Sequence, residues 1–417
     1  MTNPKAKVIV FGLNFNGYSI AKSLSDLGYE VLGVDFTRSV GSFSKKLEYC
    51  RIDFPVSAST LTNFFQEYSN ENIDQSARSS NIILLPSTDY WIFCLSQFRD
   101  TVPEYFLKAY SDNGSILNLL NKDEEILVDE NQLVLKPKRF NCIDAKHILL
   151  EGGRLCIKTS SKYIVEEGSA KELEYAHAFR FVEAESLSEF NRVCSEADDK
   201  RVPVIFQEVI PSLCNQMRTV GLCAIDGELL GLVYGEKIRG RPFQFGDCLA
   251  GKLTAVPPWA IRFASEFVEK YSYTGIAEIE FLEADGKFYL IEINPRSWSW
   301  VGATTISDAP LPKLLIERLD NLDECDSRCD EVKFNYQEIY FIKTLEDAQY
   351  FYLWSRLDKD GAKARMAMSP FRILCQERKY IADLDLYDLG PLFYAGLLSG
   401  KIFLDSLRDL FRQLLRG

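Results

Sequence analysis

The segment Gly275–Arg296 constrains the fold of this chain more than any other stretch. It reads G-I-A-E-I-E-F-L-E-A-D-G-K-F-Y-L-I-E-I-N-P-R, with apolar and polar residues alternating on both sides of Asp285-Gly286. Alternation with period two is typical of a strand with one buried face, and Asp-Gly is a favoured two-residue turn. The segment therefore predicts a β-hairpin that ends at Pro295.

Polar side chains of this hairpin are predicted to gather on one face. Side chains alternate between the faces of a strand, so Glu278 and Glu280 share a face of the first strand. By the same rule, Glu292 and Asn294 share a face of the second strand. If the turn brings these faces together, the crowded carboxylates need a cation, and carboxylate and amide oxygens suit Mg²⁺, or Mn²⁺ in its place. Glu280, Glu292 and Asn294 are therefore candidate metal ligands, with a solvated, salt-bridged hairpin edge as the alternative.

The hairpin resembles the metal-binding end of the ATP-grasp ligases. The residues that carry the resemblance are Glu280 and, one strand later, Glu292-Ile-Asn294-Pro-Arg296. In that superfamily the acids and the Asn hold Mg²⁺ ions that bridge the ATP phosphates, and the Arg contacts phosphate or the acyl-phosphate intermediate. The nearest group is the carboxylate–amine ligase branch, such as D-aspartate ligase, and carbamoyl-phosphate-synthase-like members share the hairpin. The resemblance covers most of residues 1–322.

The resemblance also implies which residues bind ATP. Lys122 and Lys158 match two lysines that flank the small lobe of these enzymes, and Lys237 matches the lysine that meets the terminal phosphate. Arg296 and Lys237 are thereby expected to be catalytic. A short segment at the end of a buried strand resembles the hinge that reads the adenine edge, with an ordinary surface strand end as the alternative. The hinge residues are Gln207, Glu208, Val209 and Ile210.

One stretch departs from the pattern of the family. Many relatives carry a flap rich in Gly and Ser after the lysine that Lys158 matches, and its backbone N–H groups wrap the phosphates. Here the stretch Thr159–Ala170 holds a single glycine, Gly168, and the acidic pair Glu166-Glu167. This departure leaves open a second hypothesis, an ATP-binding regulatory or pseudo-enzyme module without ligase turnover.

Strands and helices alternate in the first part of the chain. Lys7–Gly12, Val31–Asp35 and Asn81–Pro86 have the composition of buried strands, and Tyr18–Leu27 has that of a helix. Such alternation is typical of a parallel sheet. We expect an α/β and α+β protein with a Rossmann-like parallel-sheet lobe, a two-lobed ATP-grasp fold and a C-terminal α+β extension. The expected domains are a Rossmann-like domain at 1–112, a small lobe with the hinge at 113–212, a large lobe with the metal hairpin at 213–322, and the extension at 323–417.

The first lobe also invites a dinucleotide-binding interpretation, which its residues support weakly. Asn14 stands where the G-x-G-x-x-G pattern requires a glycine, although Asp35 lies near the position of a ribose-binding acid. An NAD(P)-dependent dehydrogenase is therefore a minor alternative. The turn Leu85–Asp89 follows the carboxyl end of a strand, where open α/β sheets bind ligands, and a helix N-cap within the turn explains the same residues.

Composition excludes several other classes. The net charge of −12 argues against nucleic-acid binding through the bulk surface. Eleven Cys without a C-x-x-C pair favour reduced thiols in a cytoplasmic protein, and two His leave almost no material for His-based catalysis. No apolar stretch reaches transmembrane length. The amphipathic pattern at 403–416 predicts a helix that packs on its own lobe, on a second subunit in a homodimer, or on a membrane surface.

These observations together predict an ATP-dependent ligase. It would activate a small-molecule carboxylate as an acyl phosphate and join it to an amine, with release of ADP and phosphate. Phosphoryl transfer relies on positioning and charge neutralisation, which suits a site of Lys, Arg, Glu and Asn. Trp298 and Trp300 follow the hairpin, where they could exclude water from the acyl phosphate or fill the core.

Overall fold

The computed structural model describes twelve stretches of the chain. They comprise residues 5–72, 81–111, 114–120, 133–172, 176–179, 181–210, 216–241, 246–321, 331–357, 368–385, 387–397 and 400. The predicted helix at 403–416 and Lys122 lie outside the described residues. No helix within these stretches is long and apolar enough to cross a membrane.

The N-terminal lobe is built on the predicted parallel sheet. Its five strands run in the order β3-β2-β1-β4-β5. They are β1 Lys7–Phe11, β2 Glu30–Asp35, β3 Glu48–Arg51, β4 Ile82–Pro86 and β5 Phe106–Lys108. The helices of this part of the chain are α1 Phe15–Asp26, α2 Ala58–Asn72, α3 Asp89–Gln97 and α4 Ser115–Leu120.

Strand β1 shows why this sheet forms. Its residues from Val8 to Phe11 are fully buried. Val8 and Val10 enter one apolar core, whereas Ile9 and Phe11 enter another, because successive side chains point to opposite faces. A continuous apolar run buried on both faces is typical of a parallel sheet covered by helices.

A second sheet forms the core of the region predicted as the small lobe. Four strands run in the order β11-β8-β12-β7, and the pairs β8–β11, β8–β12 and β7–β12 are antiparallel. The strands are β7 Arg139–Phe140, β8 Leu155–Thr159, β11 Val182–Ala184 and β12 Val204–Glu208, and the helices are α5 Cys142–Leu150 and α6 Leu187–Asp199. A separate hairpin, β9 Tyr163–Glu166 and β10 Ser169–Glu172, occupies the place of the expected flap.

The large sheet carries the predicted metal hairpin. Its strand order is β20-β19-β15-β14-β13-β16-β17-β6, and β18 pairs with β14. The strands are β6 Val134–Leu135, β13 Met217–Ile225, β14 Glu228–Arg241, β15 Asp247–Thr254, β16 Gly275–Ala284, β17 Lys287–Asn294, β18 Lys333–Phe334, β19 Ile339–Ile342 and β20 Lys379–Ile381.

Helices and short C-terminal strands complete this part of the molecule. The helices are α7 Pro258–Tyr271, α8 Leu311–Asp320, α9 Thr344–Leu357 and α10 Pro370–Leu374. Strands β19 and β20 come from the region expected to form an extension, yet they lie in the same sheet as the hairpin. The α/β and α+β fold class with its N-terminal parallel sheet is thus confirmed, whereas the domain boundaries stay predictions.

Candidate active site

A cavity of about 540 Å³ lies where the N-terminal lobe, the β9–β10 hairpin and the large sheet meet. The structure brings five of the predicted site residues to its wall. They are Lys237, Glu280, Glu292, Asn294 and Arg296. We call this cavity the central cavity.

The hairpin β16–β17 sets the positions of the acids. Its turn residues Asp285 and Gly286 have φ angles of 51° and 72°, which is the left-handed geometry of a tight hairpin turn. The register pairs Glu278 with Asn294, and Glu280 lies opposite Glu292. Directly opposed residues of antiparallel strands point to the same side, so all four side chains share one face.

A lysine from a neighbouring strand neutralises one of these acids. Lys237 on β14 donates hydrogen bonds of 3.0 Å to Glu280 Oε1 and of 3.0 Å to the carbonyl of Gly246. Burial would lower the pKa of Lys237, but the carboxylates of Glu280 and Glu278 raise it above its ordinary value. Lys237 therefore stays charged beside the acids.

Glu278 has a different electrostatic environment. Its Oε2 accepts a hydrogen bond of 3.0 Å from Asn294 Nδ2 and lies 3.8 Å from Arg296 Nη1. Burial, followed by repulsion from Glu280, raises the pKa of Glu278 well above its usual range. Glu278 therefore takes up a proton more readily than an exposed glutamate, and a cation bound at this face would favour its ionised form.

An ion-pair network joins the N-terminal lobe to this face. Arg296 Nε donates to Asp89 Oδ1 at 2.7 Å, and Nη2 donates to Asp89 Oδ2 at 3.3 Å and to Asn294 Oδ1 at 3.0 Å. Lys162, just before β9, lies 3.4 Å from Asp89 Oδ2 and 3.7 Å from Glu292 Oε1. Burial would raise the pKa of Asp89, but the charges of Arg296 and Lys162 lower it to about 2.

The donor set fits a hard divalent cation only in part. Among the described residues, no group of three His, Cys, Asp or Glu side chains could hold a metal ion by itself. Glu280, Glu292 and Asn294 offer two carboxylates and one amide oxygen on a single face. Mg²⁺ is commonly bound by one or two carboxylates together with phosphate oxygens and water. These residues therefore fit Mg²⁺ that arrives with a phosphate ligand.

The residues of the second sheet that were predicted to bind adenine and phosphate do not line the central cavity. Lys158 on β8 and Gln207 on β12 are each 6% exposed, and neither lines the central cavity. The register sets Lys158 opposite Ile205 and Gln207 opposite Cys156. Lys158 and Gln207 therefore lie on the same face of the second sheet. The apolar core around Ile157 lies on the other face. Glu208 Oε1 accepts the backbone N–H of Lys138 at 2.8 Å. The next two hinge residues, Val209 and Ile210, follow the end of β12.

Three charged residues next to the predicted set were not among the predicted site residues. Asp89, Lys162 and Glu278 all line the central cavity. Glu278 had a signal, because the hairpin alternation puts it on the metal face. Asp89 also had one, because it follows the carboxyl end of a strand, while Thr88 caps α3 by accepting the backbone N–H of Trp91. Lys162 carries no local pattern that marks it.

The two tryptophans after the hairpin belong largely to the core. Trp298 and Trp300 are each 1% exposed. A Cβ atom added at Gly221 would lie 2.2 Å from Trp298 Cη2, and one added at Gly235 would lie 2.2 Å from Trp300 Cη2. The six-membered ring of each indole therefore lies directly against a glycine of the large sheet. Only Trp300 also lines the central cavity, so Trp298 fills the core instead of excluding water.

Asp35, the acid that the dinucleotide interpretation assigns to a ribose, has other partners in the structure. Asp35 is buried, and its Oδ2 accepts the backbone N–H of Leu13 at 2.9 Å. Its Oδ1 accepts Trp91 Nε1–H at 3.2 Å and the N–H of Phe36 at 3.0 Å. Asp35 thus organises the loop after β1, which argues against a dehydrogenase.

Solved structures share this fold, although no protein-family model and no curated protein matches the chain. N5-carboxyaminoimidazole synthetase from Staphylococcus aureus, complexed with ADP, has a TM-score of 0.55 at 12% identity, covering 84% of this chain and 86% of that chain. The biotin carboxylase domain dimer of Hydrogenobacter thermophilus 2-oxoglutarate carboxylase, with MgADP, ADP and bicarbonate, has a TM-score of 0.52 at 13% identity, covering 80% and 73%. Biotin carboxylase from Campylobacter jejuni has a TM-score of 0.51 at 13% identity, covering 82% and 76%. The predicted ATP-grasp fold is confirmed by these likenesses.

Proposed function

We propose that this protein is an ATP-dependent ligase. It transfers the γ-phosphate of ATP to a small-molecule carboxylate, and an amine then attacks the acyl phosphate to form an amide with release of phosphate. The observation that carries the proposal is the single cavity wall shared by Glu280, Glu292, Asn294, Lys237 and Arg296. The ATP-grasp fold, found in neighbours solved with ADP or MgADP, supports the same activity.

Each residue of this wall has a role in the proposed reaction. Glu280, Glu292 and Asn294 would hold Mg²⁺, which when bound neutralises charge on the phosphate oxygens. Lys237 remains charged next to Glu280 and stabilises the negative charge that develops on the transferred phosphate. Arg296 is fixed by Asp89 through its bidentate fork and places a positive charge on the cavity wall, where it would attract the carboxylate that is activated.

The second sheet supplies the proposed nucleotide side. Lys158 and Gln207 lie on one face, and the hinge residues from Glu208 to Ile210 follow directly. A lysine on a buried strand is suited to meet phosphate in the ground state, and the backbone groups just beyond β12 are suited to an adenine edge. The proposal includes ATP binding at this face, with Lys122 as a further ATP-binding residue. It also includes a cytoplasmic location and a homodimer.

A regulatory module that binds ATP without turnover is the second candidate. The observation that favours it is the flap, which here is a β-hairpin whose turn residues Glu167 and Gly168 have φ angles of 51° and 74°. Glu166 pairs with Lys171 at 2.9 Å on the outside of this hairpin, so its charge is directed to solvent instead of phosphate. That pairing reduces the repulsion expected between Glu166 and ATP, so the feature that favours the regulatory module is the single glycine of the flap, Gly168.

An ADP-release screen separates the two candidates. The full chain is incubated with ATP, Mg²⁺ and panels of amino acids, dipeptides, sugar acids and bicarbonate, and products are identified by mass. The proposal predicts ADP release with an equal amount of ligated product for at least one pair. The variant Glu292→Gln should abolish both, whereas Glu266→Gln, an exposed position on α7, should keep both. ATP binding without ADP release in every mixture would favour the regulatory module.

A further inference from the structure

The end of the central cavity built by the C-terminal strands has its own set of charges. Strand β14 ends at Arg241, and its antiparallel neighbour β15 begins at Asp247. Strand β19 also pairs antiparallel with β15, so its end meets the start of β15, and Lys343 follows there. Glu346 lies in the first turn of α9. Four charged residues therefore meet at this edge of the sheet and line the cavity. They are Arg241, Lys343, Glu346 and the exposed Asp247.

Lys343 is a buried cation at this edge of the sheet. Lys343 is 5% exposed, and its Nζ lies 4.9 Å from the centroid of the Phe15 ring. Among the described residues, no carboxylate forms an ion pair with it. Burial of an ammonium group is costly unless an anion or several acceptors compensate. The Phe15 ring gives only partial compensation.

Arg241 next to it is also incompletely paired. Its Nη1 is buried and has no hydrogen-bond acceptor among the described residues. The nearest carboxylate, that of Glu346, is 3.7 Å from Nη1, which is beyond hydrogen-bond distance. Glu346 therefore attracts Arg241 electrostatically and leaves Nη1 available to another acceptor.

The amino end of α1 adds to the positive potential. Asn14, Phe15 and Asn16 line the same cavity, and the first turn of α1 carries no acidic residue. The amino end of a helix has a partial positive charge and free N–H groups. Two side-chain cations and a helix end thus lie beside the buried carboxylate of Glu346 and the exposed residue Asp247.

We propose that Lys343, Arg241 and the amino end of α1 form an anion subsite that selects a substrate with a second acidic group. The group is a carboxylate or a phosphate ester, and it lies away from the substrate atom that reacts near Arg296. Because the subsite lines the central cavity, this inference rests on the proposed function. It defines the substrate class as an acid or amine that carries one further anionic group.

Binding of anions without turnover tests the subsite. Isothermal titration of the full chain uses glutarate, its uncharged diamide glutaramide and inorganic phosphate as probes. We expect glutarate or phosphate to bind about tenfold or more tightly than glutaramide, because a charge-assisted hydrogen bond contributes about that factor. Which of the two anions binds more tightly identifies the acidic group.

Variants locate the binding. Lys343→Met keeps the length of the side chain and removes its charge, so the preference for the anion should fall to within about twofold. Lys313→Met, whose side chain on α8 is 40% exposed, should retain the preference of the wild-type chain. If Lys343→Met does not fold, Arg241→Gln gives the same comparison.

Two results would overturn the subsite. One is that the wild-type chain binds none of the three probes, and the other is that folded Lys343→Met keeps the full preference. These titrations contain no ATP, so they are independent of the ligase proposal. Anion binding without ADP release in any mixture would refute the ligase alone. ADP release that is unaffected by Lys343→Met for every active substrate would refute the subsite alone.

Discussion

The ion pair between Asp89 and Arg296 has a measurable effect on stability that follows from the structure. The pKa of Asp89 is about 2, below the ordinary value of 3.8, because the cations Arg296 and Lys162 outweigh the cost of burial. The difference corresponds to about 2–3 kcal/mol of folded-state stabilisation at neutral pH. We therefore expect Asp89→Asn to lower the free energy of unfolding by about this amount at pH 7.

The pH dependence of this loss has a definite sign. A carboxyl group whose pKa is lowered on folding stabilises the protein above its unfolded pKa, and the stabilisation disappears as the pH falls through the folded pKa. The difference between the wild-type chain and Asp89→Asn should therefore be nearly constant from pH 7 to pH 4. It should fall to about half at pH 3 and vanish below pH 2.

Urea titrations followed by tryptophan fluorescence measure this difference at each pH. Asp100→Asn is the matched control, because the Asp100 side chain is 98% exposed and its pairing with Arg99 at 3.7 Å is a surface contact. The control should differ little from the wild-type chain at any pH. If Asp89→Asn is as stable as the wild-type chain at pH 7, or if its deficit does not shrink in acid, the assigned pairing is wrong.

Three further substitutions follow from the same contacts. Lys237→Ala should depress kcat more than ATP affinity, since the charge it faces develops during transfer; a change in affinity alone in steady-state kinetics would contradict this. Arg296→Lys should lose most activity, because an ammonium group cannot replace the bidentate fork held by Asp89, and near-normal kcat/KM would count against it. Trp298→Ala should lower the free energy of unfolding by about 3–5 kcal/mol and leave the ratio of ligated product to ADP unchanged. A variant that is as stable as the wild-type chain but releases more ADP than product would show that Trp298 acts in the active site.

The hairpin could be predicted from the sequence because its signals are local. Period-two alternation and Asp285-Gly286 define the strands and the turn within one short segment. The faces of its side chains follow from counting, so Glu280, Glu292 and Asn294 could be grouped before any coordinates were known. The parallel sheet was predictable for a similar reason, since runs such as Val8–Phe11 are apolar throughout.

The rest of the site depends on contacts between distant parts of the chain. Asp89 and Arg296 are separated by 207 positions, and Lys162 and Asp89 by 73. The partner of a single lysine or aspartate cannot be identified from composition or spacing. The position of Trp298 depends on the missing side chain of Gly221 in a neighbouring strand. For that reason the core and site interpretations of Trp298 were equally compatible with the sequence.

The transfer of oxygen from the substrate to phosphate tests the central claim most directly. The carboxylate of an active substrate is labelled with ¹⁸O, and the inorganic phosphate released during ligation is analysed by mass spectrometry. If the carboxylate attacks the γ-phosphate of ATP, the bridging oxygen leaves with phosphate when the amine displaces it. Our account therefore predicts one ¹⁸O atom in each phosphate released by the wild-type chain and no labelled phosphate from Glu292→Gln. Release of ADP with unlabelled phosphate would mean that the protein hydrolyses ATP without activating a carboxylate.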